Sequence, residues 1–279
     1  MGLNETGDRE SAPSPTPVVA MTIAGSDSGG SAGLAADVKS FAAHGAHGVF
    51  ALTVVTAQNS TGITSVEPVS TTMIEAQIDA VAADFRVGAT KTGLLFSPPV
   101  VEVVAARAAT LGPLVVDPVL VSSTGTPLFD EAVMRAYVDR LFPAATVITP
   151  NAAEASLLTG IEVATRETAK QAAMALLEHG SSAVLVTGLF VDDRSVDVLA
   201  TEDGPMVLEQ QLVRTKNVLG TGCSLSASIA ARLAHGDDIF EAVEVGRGYV
   251  LDGLRASASW KLGAGRGPID HLSRWPGLR

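Results

Sequence analysis

The sequence predicts an α/β protein with a central, mainly parallel sheet covered by helices on both faces. Three observations lead there. Short β-branched apolar runs alternate with longer stretches of helical periodicity. Those runs are continuously apolar, as strands buried on both faces are. Residues of unusual chemistry sit at the carboxyl ends of the runs, where open α/β sheets receive their ligands.

The elements follow in order. Val18–Ala24 reads as a buried strand and Leu34–His44 as the helix after it. Val49–Ala57 is a second strand. Thr72–Asp84 is a helix, with Thr72 and Glu75 in capping-box spacing. Ala89–Thr92, Leu114–Asp117 and Thr146–Thr149 are further strands, separated by helices near Val100–Thr110 and Asp130–Leu141. Thr165–His179 is a helix capped by Thr165, with Gly180 beyond its end. Ala183–Thr187 is a strand, and Val196–Glu209 a hairpin. Two helices close the chain, near Thr221–His235 and Ile239–Ala256. In the last, Ile239, Val243, Gly246, Val250 and Leu254 share one face, with Glu241, Glu244, Arg247 and Asp252 elsewhere on the circumference. There is no internal repeat and no long linker. The expected organisation is a disordered leader over residues 1–17 and a single domain over 18–279.

Composition narrows the function. Thirty acidic against 19 basic residues give a net charge of −11, which argues against a nucleic-acid surface. A nucleotide ligand remains compatible, because backbone amides and a metal can supply local positive potential. Cys223 is the single cysteine, so no intramolecular disulfide forms, and a reducing, cytoplasmic location is expected. No apolar run approaches the ~20 residues of a membrane span, and residues 1–17 lack the basic start and apolar stretch of a secretory signal.

Five motifs carry chemistry. Residues 25–33, GSDSGGSAG, follow the first strand; their glycines permit tight turns and close backbone approach to a ligand. No lysine follows in Walker A position. Gln58-Asn59 ends the second strand, and a Gln can both donate to and accept from a ring nitrogen beside an amino group. Asp117-Pro118-Val119 ends another strand, where Asp117 can hold a metal or its waters, or simply cap a loop. Asn151 and Glu154 have capping-box spacing, and Glu154 is also a candidate for waters around magnesium. Residues 216–223, KNVLGTGC, open a helix. Gly220-Thr221-Gly222 there would leave amides facing outward, with the positive helix end behind them. Such a nest suits a phosphoryl group in transfer, and a base at position 223 would face the same spot. A buried cysteine in a packed helix is the plainer reading of Cys223 alone.

In this order the segments TIAGSDSGGSAG (22–33), TAQNSTG (56–62), KTGLL (91–95), VVDPV (115–119), TPNAAEA (149–155), KNVLGTGCSLSASIA (216–230) and GAGRGPIDH (263–271) resemble the hydroxymethylpyrimidine and phosphomethylpyrimidine kinases of thiamin synthesis, within the ribokinase-like superfamily. The resemblance implies a three-layer α-β-α sandwich with a small β element beside the site. It implies ATP and Mg2+ as cofactors, a pyrimidine pocket of Gly25, Asp27, Gln58, Leu94 and Val119, and a homodimer. It places the nucleotide at Asn151, Glu154, Thr187, Gly188 and Asn217, the metal at Glu154 and Asp117, the anion hole at Gly220, Thr221 and Gly222, and the catalytic base at Cys223.

The chain departs from the family pattern in three places. Thr187-Gly188-Leu189-Phe190 replaces Lys-Gly-Gly-His, Ser123 replaces a lysine, and Leu219 replaces a histidine. These changes bear more on phosphorylation of an anionic monophosphate than on that of a neutral alcohol. Two other readings stay open: a pyridoxal or pyridoxine kinase, and a non-catalytic pyrimidine- or nucleotide-binding protein.

Overall fold

The computed structural model describes residues 16–120 and 131–275. The expected leader, apart from its last two residues, and Ser123 lie outside them. Ten strands are β1 (Val19–Ala24), β2 (His47–Leu52), β3 (Val54–Asn59), β4 (Gly62–Pro68), β5 (Val87–Thr92), β6 (Leu114–Val116), β7 (Val147–Ile148), β8 (Ala183–Val191), β9 (Arg194–Thr201) and β10 (Gly204–Gln211). The main helices are α1 (Gly33–Ala43), α2 (Thr71–Asp84), α3 (Pro98–Arg107), α4 (Glu131–Ala136), α5 (Ala152–Thr159), α6 (Arg166–Leu177), α7 (Thr221–His235) and α8 (Ile239–Ser257).

Eight strands form one sheet in the order β10-β9-β8-β7-β6-β5-β1-β2. The pairs from β2 across to β8 are parallel, and β9 and β10 add an antiparallel extension. Alternation along β1 explains the two apolar layers. Met21 and Ile23 belong to a core with Ile74 and Ile78 of α2, Val101 and Val104 of α3, and Leu176 of α6. Ala20 belongs to the opposite core, with Phe41 of α1, Ile229 and Ala230 of α7, and Tyr249 of α8. The three-layer sandwich is therefore present as expected. No helix among the described residues is long and apolar enough to cross a membrane.

Two expectations need correction, and one buried charge is added. The apolar run 49–57 is two strands, not one: β2 ends at Leu52, and β3 pairs antiparallel with β4 in a separate two-stranded sheet. Thr53 makes the break. Its amide bonds to Ala24 O, its hydroxyl donates to Leu94 O, and its carbonyl accepts from Val69. The run changes sheets because both halves are apolar and periodicity does not register a change of partner. The α2 cap is Ser70, whose hydroxyl accepts from Met73 N, and not Thr72. Arg247 is buried on α8, where it ion-pairs with Asp197 of β9 at 2.8 Å and with Glu244 at 2.6 Å.

The most constrained polar feature is also fully buried. Lys91, near the end of β5, donates to both carboxylate oxygens of Asp37 on α1 at 3.0 and 2.9 Å, and Thr22 of β1 donates to the same carboxylate at 2.6 Å. Both charged side chains have no exposure. Burial opposes the ammonium charge, but Asp37, and after it Asp117, outweigh that opposition and hold Lys91 above its ordinary pKa. Removing one partner strands a charge in a dry interior. Lys91→Met is expected to lose about 3–5 kcal/mol in urea unfolding. The pair Lys91→Met with Asp37→Leu should recover much of that loss. A double variant no more stable than the single one would show that packing, not charge, dominates there.

Candidate active site

Strand ends and helix starts bring the sequence-predicted residues into one connected region. The loop after β1 is folded by Asp27, whose carboxylate accepts from the amides of Gly29, Ser31 and Ala32 at 2.8–2.9 Å. Asp27 is almost completely buried, and this loop-folding role occupies both its oxygens. Gly25 lies against Val54, where an added Cβ would come within 2.6 Å of the Val54 side chain and 3.4 Å of Leu94. Its carbonyl accepts from Leu34 N, and a Cβ on Gly33 would overlap that carbonyl. Gly25, Leu94 and Val54 thus form a narrow apolar wall.

The β3–β4 hairpin is laced to this loop. Ser28 Oγ donates to Gln58 O at 2.7 Å and accepts from Gln58 N at 2.8 Å. Thr56 N donates to Ser26 Oγ, and Thr56 Oγ1 to Ser26 O. The Gln58 backbone is therefore fixed while its half-buried amide stays accessible. That amide suits the donor–acceptor edge of a ring.

The nest starts α7. Gly220 is the N-cap, at φ 80°, and no side chain caps the helix, so the Gly222 and Cys223 amides remain available while Thr221 N turns back to Val218 O at 3.4 Å. A Cβ on Gly220 would overlap the Ser31 carbonyl, which seats the nest directly on the glycine-rich loop. A Cβ on Gly222 would meet nothing within 4 Å, so a side chain there would have room. Thr221 Oγ1 donates back to Val218 O. Cys223 is half-buried. Burial, opposed by Lys91 and reinforced by Asp117 and Asp37, pushes its thiol up to about 12, with the Gly33 amide pulling the other way. At neutral pH the thiol is protonated.

Asp117, after β6, accepts from Ser226 Oγ, one turn into α7, at 3.2 Å. Burial pushes its carboxyl up to about 6, against the pull of Lys91. Val119 N bonds back to Asp117 O. Glu154 accepts from Leu120 N at 3.2 Å and from Asn151 N at 2.9 Å, so the capping box and the loop after β6 share one carboxylate. Asn151 in turn bridges to Thr187, and Gly188 donates to Asp197 Oδ1. Asn217 is placed differently from the other nucleotide candidates. Its buried amide nitrogen donates to Ser257 O and Trp260 O, so it braces the nest and has no donor left for a nucleotide.

The sequence reading passed over four groups: Lys91, Asp37, the Arg247–Asp197 pair behind Gly188, and Ser60 on the hairpin. A lysine inside the apolar strand 87–92 was the available signal, since a buried charge needs a partner.

A phosphoryl group and a flat, polar-edged ring are the ligands these groups suit, the pair that small-molecule kinases bring together. Comparison with known proteins narrows the class. Residues 27–270 match the family model described as phosphomethylpyrimidine kinase. A hydroxymethylpyrimidine/phosphomethylpyrimidine kinase of Synechococcus elongatus is 41% identical over 91% of this chain and 97% of its own. The Bacillus subtilis protein of the same name is 36% identical over 91% of this chain and 94% of its own. Among solved structures, Bacillus subtilis pyridoxal kinase with ADP superposes at a TM-score of 0.85 with 33% identity, covering 95% of this chain and all of that one. Phosphomethylpyrimidine kinase from Clostridium difficile gives 0.75 with 34% identity, covering 85% and 99%. The chain belongs to the phosphomethylpyrimidine kinase family and has the ribokinase-like fold.

The two nest glycines should fail differently. Gly220→Ala is expected to lower Tm and abolish turnover, because neither φ nor space admits a side chain. Gly222→Val should keep Tm within a few degrees yet cut kcat/KM about 100-fold or more, the scale of losing an oriented amide donor. Wild-type turnover in Gly222→Val would remove the nest from the reaction.

His271 supplies a stability test. Its Nε2 meets Ser224 Oγ at 3.0 Å, and burial, then Lys39, lowers its pKa to about 4. The unfolded value is about 6.5, so the unfolded chain binds the proton more readily. Stability should fall as pH drops from about 6.5 to about 4. His271→Gln should make Tm less sensitive to pH across that window. His44, also held at about 4 by burial, has the same sign and leaves a residual slope.

Proposed function

We propose that this protein catalyses ATP-dependent phosphorylation of the hydroxymethyl group of 4-amino-5-hydroxymethyl-2-methylpyrimidine in thiamin biosynthesis. The observation that carries the reading is the seating of the Gly220–Cys223 nest on the glycine-rich loop, beside the hairpin that presents Gln58. Membership of the family and the names of its relatives agree with it. Residues 18–279 act as one kinase domain in this proposal, with a cytoplasmic location and a homodimer as assembly.

In the proposed arrangement the ring lies against Gly25, Leu94 and Val119, with its polar edge on Gln58. The hydroxymethyl oxygen attacks the γ-phosphorus as the bond to the β–γ bridging oxygen breaks, giving ADP. The amides of the nest take up charge on the phosphoryl oxygens. Such transition states are loose, so positioning and electrostatics outweigh early proton removal. Cys223, a neutral thiol at rest, orients the hydroxyl, and the alcohol proton leaves late to a phosphoryl oxygen or water.

ATP is supported as donor by kinase neighbours solved with ADP and with AMP-PCP. Magnesium is also proposed. Asp117 and Glu154 offer hard carboxylate oxygens of the kind such an ion takes beside water and phosphate. Asp117 would hold it, Glu154 would hold its waters, and the ion would offset phosphate charge. Thr187 and Gly188 would border the nucleotide.

The pyridoxal kinase superpositions favour a second reading, phosphorylation of pyridoxal or pyridoxine. Assaying ATP consumption with the pyrimidine alcohol, its monophosphate and pyridoxal separately decides. The pyrimidine alcohol should have the highest kcat/KM. A preference for pyridoxal would replace the proposal, and tight binding without turnover would make the protein a sensor. Cys223→Ser should keep about a tenth or more of wild-type kcat, less than the ~10²–10⁴-fold loss expected on removing a general base. A larger loss would assign proton transfer to the thiol.

A further inference from the structure

The segment after α8 runs along the outside of the site and touches both of its halves. Its amides at Gly265 and Arg266 donate to Ser60 Oγ and Ser60 O, each at 3.1 Å. Ser60 lies in the turn of the β3–β4 hairpin, two residues beyond Gln58. Two residues further along the segment, Gly267 O accepts from Leu219 N at 2.9 Å, and Pro268 pairs with Leu219 in a parallel bridge. Leu219 immediately precedes the nest. The segment is then anchored to the helices behind the nest: Asp270 N donates to Gly253 O, Tyr249 OH to His271 O, and His271 meets Ser224.

The contacts are too close for side chains. A Cβ on Gly263 would overlap Ser60 Oγ, one on Gly265 the Ser60 carbonyl, and one on Gly267 the Asn217 amide oxygen. Every second residue from 263 to 267 is thus a glycine packed on either the hairpin turn or the nest loop. The hairpin itself is mostly exposed, β4 almost wholly so. Its base is tied to the loop after β1 and its tip to this strap, with little core packing to hold it otherwise.

We infer that the strap over residues 263–267 is a positioning element, which fixes the ring-binding hairpin relative to the phosphoryl nest through Ser60 on one side and Leu219 and Asn217 on the other. None of these groups needs to touch substrate. The inference rests on the proposed division of the site, with the ring on the hairpin and the phosphoryl group on the nest. An attacking oxygen displaced by ~1 Å costs on the order of 100-fold in rate. A joint that spans the two half-sites is where such a displacement would arise. Two ligands that each order one end of a shared strap should also favour each other's binding.

The test uses the full chain with Gly265→Ala and Ser60→Ala. Tm reports folding. Calorimetry gives Kd for the pyrimidine alcohol and for a non-hydrolysable ATP analogue, each alone and with the other saturating. Wild-type turnover of the alcohol tests the functional reading, and the variant-to-wild-type ratios test the strap, so either can fail alone. If pyridoxal proves the better substrate, it takes the alcohol's place. The expected result for folded Gly265→Ala is that each Kd measured alone stays within about threefold, that mutual enhancement of binding, on the order of tenfold in wild type, drops toward one, and that kcat falls at least about tenfold. If Gly265→Ala does not fold, Ser60→Ala, which removes one hydrogen bond, decides by a threefold or larger loss of kcat. No mutual enhancement in wild type, or unchanged kcat in the folded variants, would overturn the inference.

Discussion

The ion pair between Lys91 and Asp37 is the constraint on which the site's geometry rests. It joins β5 to α1, with Thr22 of β1 as a third member, in a place no water reaches. Asp37 sits one turn into α1, so fixing it fixes the start of that helix, where Gly33 faces Cys223. The glycine-rich loop leads into the same helix start, and α7 begins on that loop through the Ser31 carbonyl. Burying the pair costs much in desolvation and is repaid only by close geometry. What it secures is orientation: two helix starts held in register over the ends of β1 and β5.

An acidic chain that handles phosphate has to find positive potential without many cations. Here the main chain provides it. The positions where the family pattern carries Lys or His are occupied by Thr187, Phe190 and Leu219; Phe190 is 63% exposed and Leu219 is buried under the strap. Lys91 contributes from beneath as a fixed charge, bonded to Asp37. In the proposed function, the amides of the nest and the start of α7 would meet the nucleotide's phosphates.

Much of this was legible in the sequence, and the failures have physical causes. The parallel sheet followed from unbroken apolar runs, and the Thr165 and Asn151 caps from side-chain chemistry confined to a few neighbouring residues. The start of α7 followed from Gly220, which stands at positive φ. The split at Thr53 was not legible, because it depends on bonds to Ala24, Leu94 and Val69, distant in sequence. The burial of Arg247 was not legible either, because its partner Asp197 lies fifty positions earlier. Asn217 sat in the right motif for the wrong reason: its amide serves carbonyls forty residues away. Local chemistry shows in one dimension; partnership across the fold does not.

The division of labour between backbone and side chains bears on how this scaffold diversifies. In the proposed function, phosphoryl handling is written largely in main-chain amides and glycines. Ring recognition, as proposed, would depend on a few side chains such as Gln58, carried on a hairpin outside the two cores. Selection can therefore exchange one vitamin precursor for another by editing that hairpin while the transfer machinery stays untouched. A shared frame between pyrimidine and pyridoxal kinases is what such a partition would leave behind.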